Sequence, residues 1–319
     1  MKNKIFRMYF RDCLEMGKMK KLKNIRVVLS IVLLLMATAI ALDVGGALPE
    51  WFPHLDRIQF MPALLSFGIG VDVFWLACSI MFGRIYCSSV CPLGTFQDFF
   101  GYLGRKVFRK KGYRYSFPKN GLRYAVLIGM LASACIGFLA LPLLIDPYSA
   151  YSRIAISIVY SGRVADAQDQ LIAASLLVPG LAGIALSAIT ALAVAYMSFF
   201  HGRTYCNTIC PVGTALGICS RNSIWHFEID TDKCVDCGRC EEACKASCID
   251  LSEHVVDMSR CVVCFNCIKE CGDDAISYTP ERKRPATPLM QRIKEKAVGN
   301  SSTATAVTMT KTDPSSARK

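Results

Sequence analysis

The sequence predicts an α-helical membrane protein: four transmembrane helices followed by a small, cysteine-rich α+β domain. Three observations predict it. Four long apolar runs hold most of the hydrophobic residues, basic residues gather in alternate connections between them, and cysteines recur at fixed spacings in two separate internal repeats. The 319 residues are 53% hydrophobic and carry a net charge of +12 and 17 cysteines, a combination outside the range of ordinary soluble enzymes.

The apolar runs cover residues 27–48, 58–82, 124–145 and 171–200. About 20 residues at about 1.5 Å rise cross a bilayer, so each run is long enough. A soluble core helix would interrupt such runs with a polar stripe every helical turn, and these do not. Asp43 falls near the end of the first and Asp72 near the middle of the second, while the last two carry no charge. Pro179-Gly180 is expected to break the last run and leave residues 180–200 as its spanning part.

Charge orients the helices, because short cytoplasmic loops collect Lys and Arg. Residues 1–26 hold nine basic residues against two acids, and residues 84–123 hold nine against Asp98 alone. Residues 43–57 carry one Arg and three acids, and residues 146–170 two Arg and three acids. Both termini and the 84–123 loop are therefore expected on the cytoplasmic side, with Asp43, His54 and Asp146 near the outer face. A 26-residue charged lead and the spans that follow favour retention of the first helix over cleavage as a signal peptide. Residues 221–281 hold six basic residues against thirteen acids, so the net charge is a topology signal and no nucleic-acid footprint is present. The expected organisation is a basic segment over 1–26, a membrane domain over 27–220, a cysteine-rich domain over 221–281 and a disordered Ser/Thr/Lys-rich tail over 282–319.

Cys234, Cys237, Cys240 and Cys244 form a C-x2-C-x2-C-x3-C run, and Cys261, Cys264, Cys267 and Cys271 repeat it at an offset of 27 residues. A cubane cluster needs four thiolates around one small volume, and in two-cluster ferredoxins the fourth comes from the other run. Cys234, Cys237, Cys240 and Cys271 are therefore assigned to one 4Fe-4S cluster, and Cys261, Cys264, Cys267 and Cys244 to a second. Zinc sites pair two C-x2-C knuckles instead, which disfavours a zinc reading. The segment resembles a bacterial two-cluster ferredoxin over about 55 residues, with Lys245 and Gly272 where that family carries proline after the fourth cysteine. Cys248 aligns with Ala275 by the offset and reads as a small packed side chain.

A second repeat, at an offset of 119, relates Gly83-Arg-Ile-Tyr-Cys87-Ser-Ser-Val-Cys91-Pro-Leu-Gly-Thr95 to Gly202-Arg-Thr-Tyr-Cys206-Asn-Thr-Ile-Cys210-Pro-Val-Gly-Thr214, with eight of thirteen positions identical. Cysteines four apart share a helix face, and the following proline marks a helix break or start. If the motifs meet, four thiols converge. Three uses compete: a further metal or cluster site at Cys87, Cys91, Cys206 and Cys210, dithiol or transient copper chemistry, and a structural role. Arg84 and Arg203 would offset thiolate charge, contact quinone or lipid headgroups, or simply snorkel to the interface.

Four spans, two such motifs and a C-terminal two-cluster ferredoxin resemble the NapH-type membrane quinol dehydrogenases and the membrane part of the NosR/NirI-type polyferredoxins, over roughly residues 25–280. Asp146-Pro147-Tyr-Ser also looks like that family. The flavin-bearing outer domain of the NosR type has no counterpart between these spans. The CcoG/RdxA type, linked to oxidase assembly and copper reduction, shares the motifs but has a longer C-terminal domain. The resemblance implies an iron–sulfur electron-transfer protein passing electrons from the quinol pool to a ferredoxin-like, periplasmic or membrane redox partner subunit. Its rivals are a copper-handling assembly factor and a redox-sensing membrane regulator. Quinol oxidation releases protons, and the candidate carriers are Asp72, where an ionisable group inside a span is functional by default, and His201, whose ordinary pKa suits proton exchange. A bundle hydrogen bond for Asp72 and simple solvation for His201 are the competing readings. Cys13, Cys78, Cys135, Cys219 and Cys248 are left over, and no haem-attachment, dinucleotide-binding or Walker A motif occurs.

Overall fold

A computed structural model describes residues 2–42, 58–65, 68–108, 112–138, 140–160 and 181–282. Two of its helices are long and apolar enough to cross a membrane: residues 21–42 within α1 (Lys2–Leu42), with mean hydropathy 2.6, and residues 183–201 within α9 (Leu181–His201), with mean hydropathy 1.8. Of the four transmembrane helices expected, two therefore have a helix of spanning length among the described residues. The 58–82 run divides into α2 (Phe60–Leu65) and α3 (Ile69–Phe82), and the 124–145 run into α6 (Asn120–Cys135) and α7 (Ala140–Ile145). At about 1.5 Å per residue, α3 and α6 rise only about 21 and 24 Å.

Local chemistry explains the second break. Gly137 adopts φ +85°, and its N–H and that of Phe138 bond back to the carbonyls of Ala134 and Ser133 at 3.0 and 2.9 Å. This is the Schellman closure that a left-handed glycine permits, and apolar composition alone does not reveal it. The chain then folds back through α7 into α8 (Pro147–Tyr160), which packs on α1, α5 (Pro92–Phe108) and α9. Asp146, expected near the outer face, consequently sits at the level of the second motif: the adjacent Ile145 carbonyl accepts the Tyr205 hydroxyl at 2.8 Å. Asp43, His54 and the loop before α9, including Pro179, lie outside the described residues.

The two motif-bearing halves interlock. α4 (Ile85–Ser89) and α5 follow α3, just as α10 (Thr204–Thr208) and α11 (Pro211–Ser220) follow α9. Each half lays its leading helix on the other's trailing helix, α3 on α11 and α9 along α5, while α1 covers α4 and α5 and α6 covers α10 and α11. Large apolar side chains project outward from these helices, among them Val28, Val32 and Leu35 on α1, Ile69, Val73 and Phe74 on α3, and Ile189 and Leu192 on α9.

The C-terminal module is built from β1 (His226–Ile229) paired antiparallel with β4 (Ile276–Thr279), and β2 (Ile249–Asp250) with β3 (Val255–Val256). Two short helices, α12 (Arg239–Ala243) and α13 (Asn266–Glu270), pack together between them. The module seats on the Gly-Arg turn of each motif. Gly202, at φ +66°, lies so close to the Lys245 carbonyl that a Cβ would collide with it, and Gly83, at φ +78°, has room only up to Val263 and Met258. The Arg203 N–H bonds the Lys245 carbonyl at 2.9 Å, and Asn207 Nδ2 bonds the Ala246 carbonyl at 3.1 Å. Gly202→Ala should therefore lower stability by about 1–3 kcal/mol from strain alone, read as a lower midpoint of thermal unfolding in detergent. An unchanged midpoint would contradict this seating.

Asp98 on α5 ties these parts together. It takes Arg203 Nε of the second motif at 2.8 Å and Lys245 Nζ of the module at 2.9 Å, with Arg26 of α1 at 3.8 Å. Burial works against its charge, but Arg203 and Lys245 outweigh burial and hold the carboxyl well below its ordinary range. A depressed folded pKa contributes stability that is complete above the unfolded value of about 3.9 and is lost as pH falls through the folded one. Asp98→Asn leaves the buried Arg203 without its countercharge, a loss of about 3–5 kcal/mol. The deficit relative to wild type should hold between pH 5 and 8 and shrink below about pH 4. A deficit that grows on acidification would refute the assignment.

Candidate iron–sulfur site

Each Cys-Pro-x-Gly-Thr segment is a helix start in which every residue type has a local reason. Cys210 is the N-cap of α11 and its sulfur accepts the Gly213 N–H at 3.3 Å; Pro211 occupies the first helical position, where its missing N–H costs nothing. A Cβ on Gly213 would strike the Cys206 carbonyl and crowd the Arg84 guanidinium, and one on Gly94 would strike the Cys87 carbonyl and crowd the Arg203 guanidinium. Glycine at that position lets the second turn of the motif close over the first.

The arginines cross between the halves. Arg84 of the first motif donates to the Cys206 carbonyl at 3.2 Å, to Asn207 Oδ1 at 3.0 Å and to the Ser259 carbonyl at 2.9 Å. Arg203 of the second motif donates to the Cys87 carbonyl in return. Both guanidiniums are buried, at 0% and 1% exposure, which overturns the snorkelling alternative. The exchange brings the two motifs together. Cys87, Cys91, Cys206 and Cys210 are all buried, and the Cys206 thiol bonds Gln97 Oε1 at 3.2 Å. Burial raises the Cys91, Cys206 and Cys210 thiols, Cys206 to about 11, and the thiols raise one another further. Buried thiols whose charged forms disfavour one another are what a cationic metal centre would stabilise. Three buried donors beside them, Arg84 Nε, Arg203 Nη2 and Gln97 Nε2, have no partner among the described residues, so the donor set fits an anionic, sulfur-rich group.

In the C-terminal module the backbone itself repeats at 27 residues. Asp236 and Val263, Gly238 and Phe265, and Ser247 and Asp274 form three equivalent pairs, all at φ between +50° and +75°. Left-handed residues alternating with ordinary ones turn successive N–H groups inward, a nest for an anion. Val263, β-branched, holds this conformation against its own preference. Cys234, Cys237, Cys240 and Cys271 line one hollow of about 340 Å³, with Ile229, Val235, Leu251 and Ala275. Cys244, Cys261, Cys264 and Cys267 line another of about 300 Å³, with Phe227, Ile249, Val262 and Phe265. The first set is partly exposed, Cys237 the most, whereas all four of the second are buried.

The structure does not bring Asp72 or His201 into these sites. Asp72 lies on α3 about 15 Å of helix before its end, buried, with neither carboxylate oxygen hydrogen-bonded among the described residues. His201 is exposed at the end of α9. Asp98, Gln97 and Tyr205 are site residues that the sequence did not single out, and Lys245 was noted there only as standing where ferredoxins carry proline. Asp98 was visible only as the one acid in a basic loop. Cys78 and Cys219 are half-buried and Cys135 is exposed, outside these sites; the side chain of Cys13 lies outside the described residues.

Family comparison bears on the motif cysteines and on the first cysteine run of the C-terminal module. A family described as a 4Fe-4S binding domain matches residues 65–111 and 183–227, the two motif segments, and a second 4Fe-4S binding domain family matches residues 225–246. The chain is 23% identical over 210 residues to YccM of Escherichia coli, a protein named for electron transport, covering 62% of this chain and 54% of YccM. It is 25% identical over 177 residues to the ferredoxin-type protein NapH of Haemophilus influenzae, covering 55% of this chain and 52% of NapH. An uncharacterized protein of Methanocaldococcus jannaschii, MJ0749, is 24% identical over 270 residues, covering 83% of this chain and 89% of MJ0749. The alignments thus span about half the length of YccM and NapH. No solved structure matches. Both motifs and the start of the C-terminal module thus match 4Fe-4S binding domains, and the chain is homologous to NapH and YccM, consistent with the NapH-type polyferredoxins.

Proposed function

We propose that this protein sits in a bacterial inner membrane, with its termini and clusters on the cytoplasmic side, and passes electrons from the quinol pool to a redox partner through three centres in line. Cys87, Cys91, Cys206 and Cys210 would hold the innermost. Cys244, Cys261, Cys264 and Cys267 would hold a 4Fe-4S cluster above it, and Cys234, Cys237, Cys240 and Cys271 a second at the outer end. A 4Fe-4S cluster, when bound, takes up or gives a single electron at a time.

The observation that carries this reading is the seating of the module. Gly202 lies against the carbonyl of Lys245, the residue after Cys244, and Gly83 lies against Val263, between Cys261 and Cys264. The protein therefore presses the loops of the buried cysteine set against both motifs and turns the exposed set away, toward a docking partner. Full burial of the four motif thiols supports a resident centre over transient copper exchange. The outward apolar side chains of α1, α3 and α9 support contact with lipid. For the protons of a quinol, Asp72 remains the proposed intramembrane acceptor, because both its oxygens are free among the described residues. His201, exposed at the end of α9, would serve as a release group.

Adding a reduced menaquinol analogue to the anaerobically purified protein should change the EPR spectrum of its clusters; no change in any signal would sink the quinol reading. Replacing Cys87, Cys91, Cys206 and Cys210 together with Ser should stop that reduction while dithionite still reduces both ferredoxin-type clusters. Undiminished reduction by quinol would remove the motif centre from the route.

A further inference from the structure

The hollow lined by the buried cysteine set contains a fifth thiol. Cys248 is 1% exposed, its sulfur lies 3.5 Å from Cys244 Sγ, and it lines the same hollow as Cys261. Its position is fixed rather than incidental. The Cys248 N–H points at Cys244 Sγ at 3.5 Å, and its carbonyl accepts the Asp257 N–H at 2.9 Å at the start of the β2–β3 pair. The sequence treated this residue as packing alone, since the 27-residue offset aligns it with Ala275. That alignment now supplies an internal comparison: Ala275 is equally buried and lines the other hollow, with no donor to offer.

A cubane takes one thiolate per iron, so five thiols around one cluster site cannot all be ligands. Ligand thiols bind deprotonated. If Cys244 and Cys261 are ligands, neither keeps a proton, and the only S–H left between them belongs to Cys248. We propose that Cys248 is a positioning and tuning residue that donates a sulfur hydrogen bond to the ligand sulfur of Cys244 or Cys261, making the two cluster sites unequal. A donor aimed at a ligand sulfur stabilises the reduced cluster, which carries more negative charge, and so raises its reduction potential. The cluster nearer the membrane motifs is then the easier of the two to reduce. This inference rests on the ligand assignment of the preceding section.

The test is an EPR-monitored redox titration of the full-length protein, with iron counted on the same samples. Cys248→Ala should keep wild-type iron and move the midpoint of one cluster to a more negative potential, by about tenfold in its reduction equilibrium or about 59 mV for one electron. Cys248→Ser, which keeps a hydroxyl donor, should recover much of that shift, and Ala275→Cys should move the other cluster's midpoint upward. Full iron with unshifted midpoints in both Cys248 variants would overturn the tuning role. Loss of one cluster's iron in Cys248→Ala, with iron retained in Cys244→Ser, would overturn it differently, by making Cys248 the ligand and Cys244 the spare thiol.

Discussion

The reciprocal arginine exchange is the interaction on which the rest of this molecule depends. Arg84 reaches from the first motif to the Cys206 carbonyl, and Arg203 from the second to the Cys87 carbonyl, both fully buried. A buried guanidinium without partners is costly, so each arginine demands the other motif's backbone. The two halves are thereby held in one arrangement in which both motifs and their four buried cysteines come together. Glycine at positions 94 and 213 leaves the space that the exchange needs, and Asp98 neutralises Arg203 while joining α1 and the module to the same point.

The C-terminal module reaches a similar end by a different route. It has little sheet and only two short helices, so its cysteine loops are ordered by left-handed residues repeated at an exact offset and by seating on the Gly-Arg turns. The strain in Val263 belongs to a loop that also forms the contact with Gly83. Cluster binding and docking onto the membrane motifs are in this way properties of the same few residues.

Much of the site was legible in the sequence, because cysteine spacing is a direct consequence of what a cluster requires. The grouping of Cys271 with the first run and Cys244 with the second follows from the spacing rule, and the same groups line the two hollows. The identity of the two motifs announced their equivalence. What the sequence concealed is set by long-range geometry. Hydropathy reads Gly137 as one more residue of an apolar run, although its left-handed conformation ends α6 and folds Asp146 back to the motif level. Asp98 and Gln97 carry no spacing signature at all, and Cys248 looked inert because the 27-residue offset pairs it with Ala275, although it packs on Cys244 four residues before it.

The central claim is that the two motifs build one shared centre rather than two separate ones. Iron per chain, measured on anaerobically purified protein with Cys87 and Cys91 replaced by Ser, with Cys206 and Cys210 replaced, and with all four replaced, tests it most directly. A shared 4Fe-4S centre predicts the same loss, about four irons, in all three variants. Losses that add between the two motifs, or no loss at all, would contradict it.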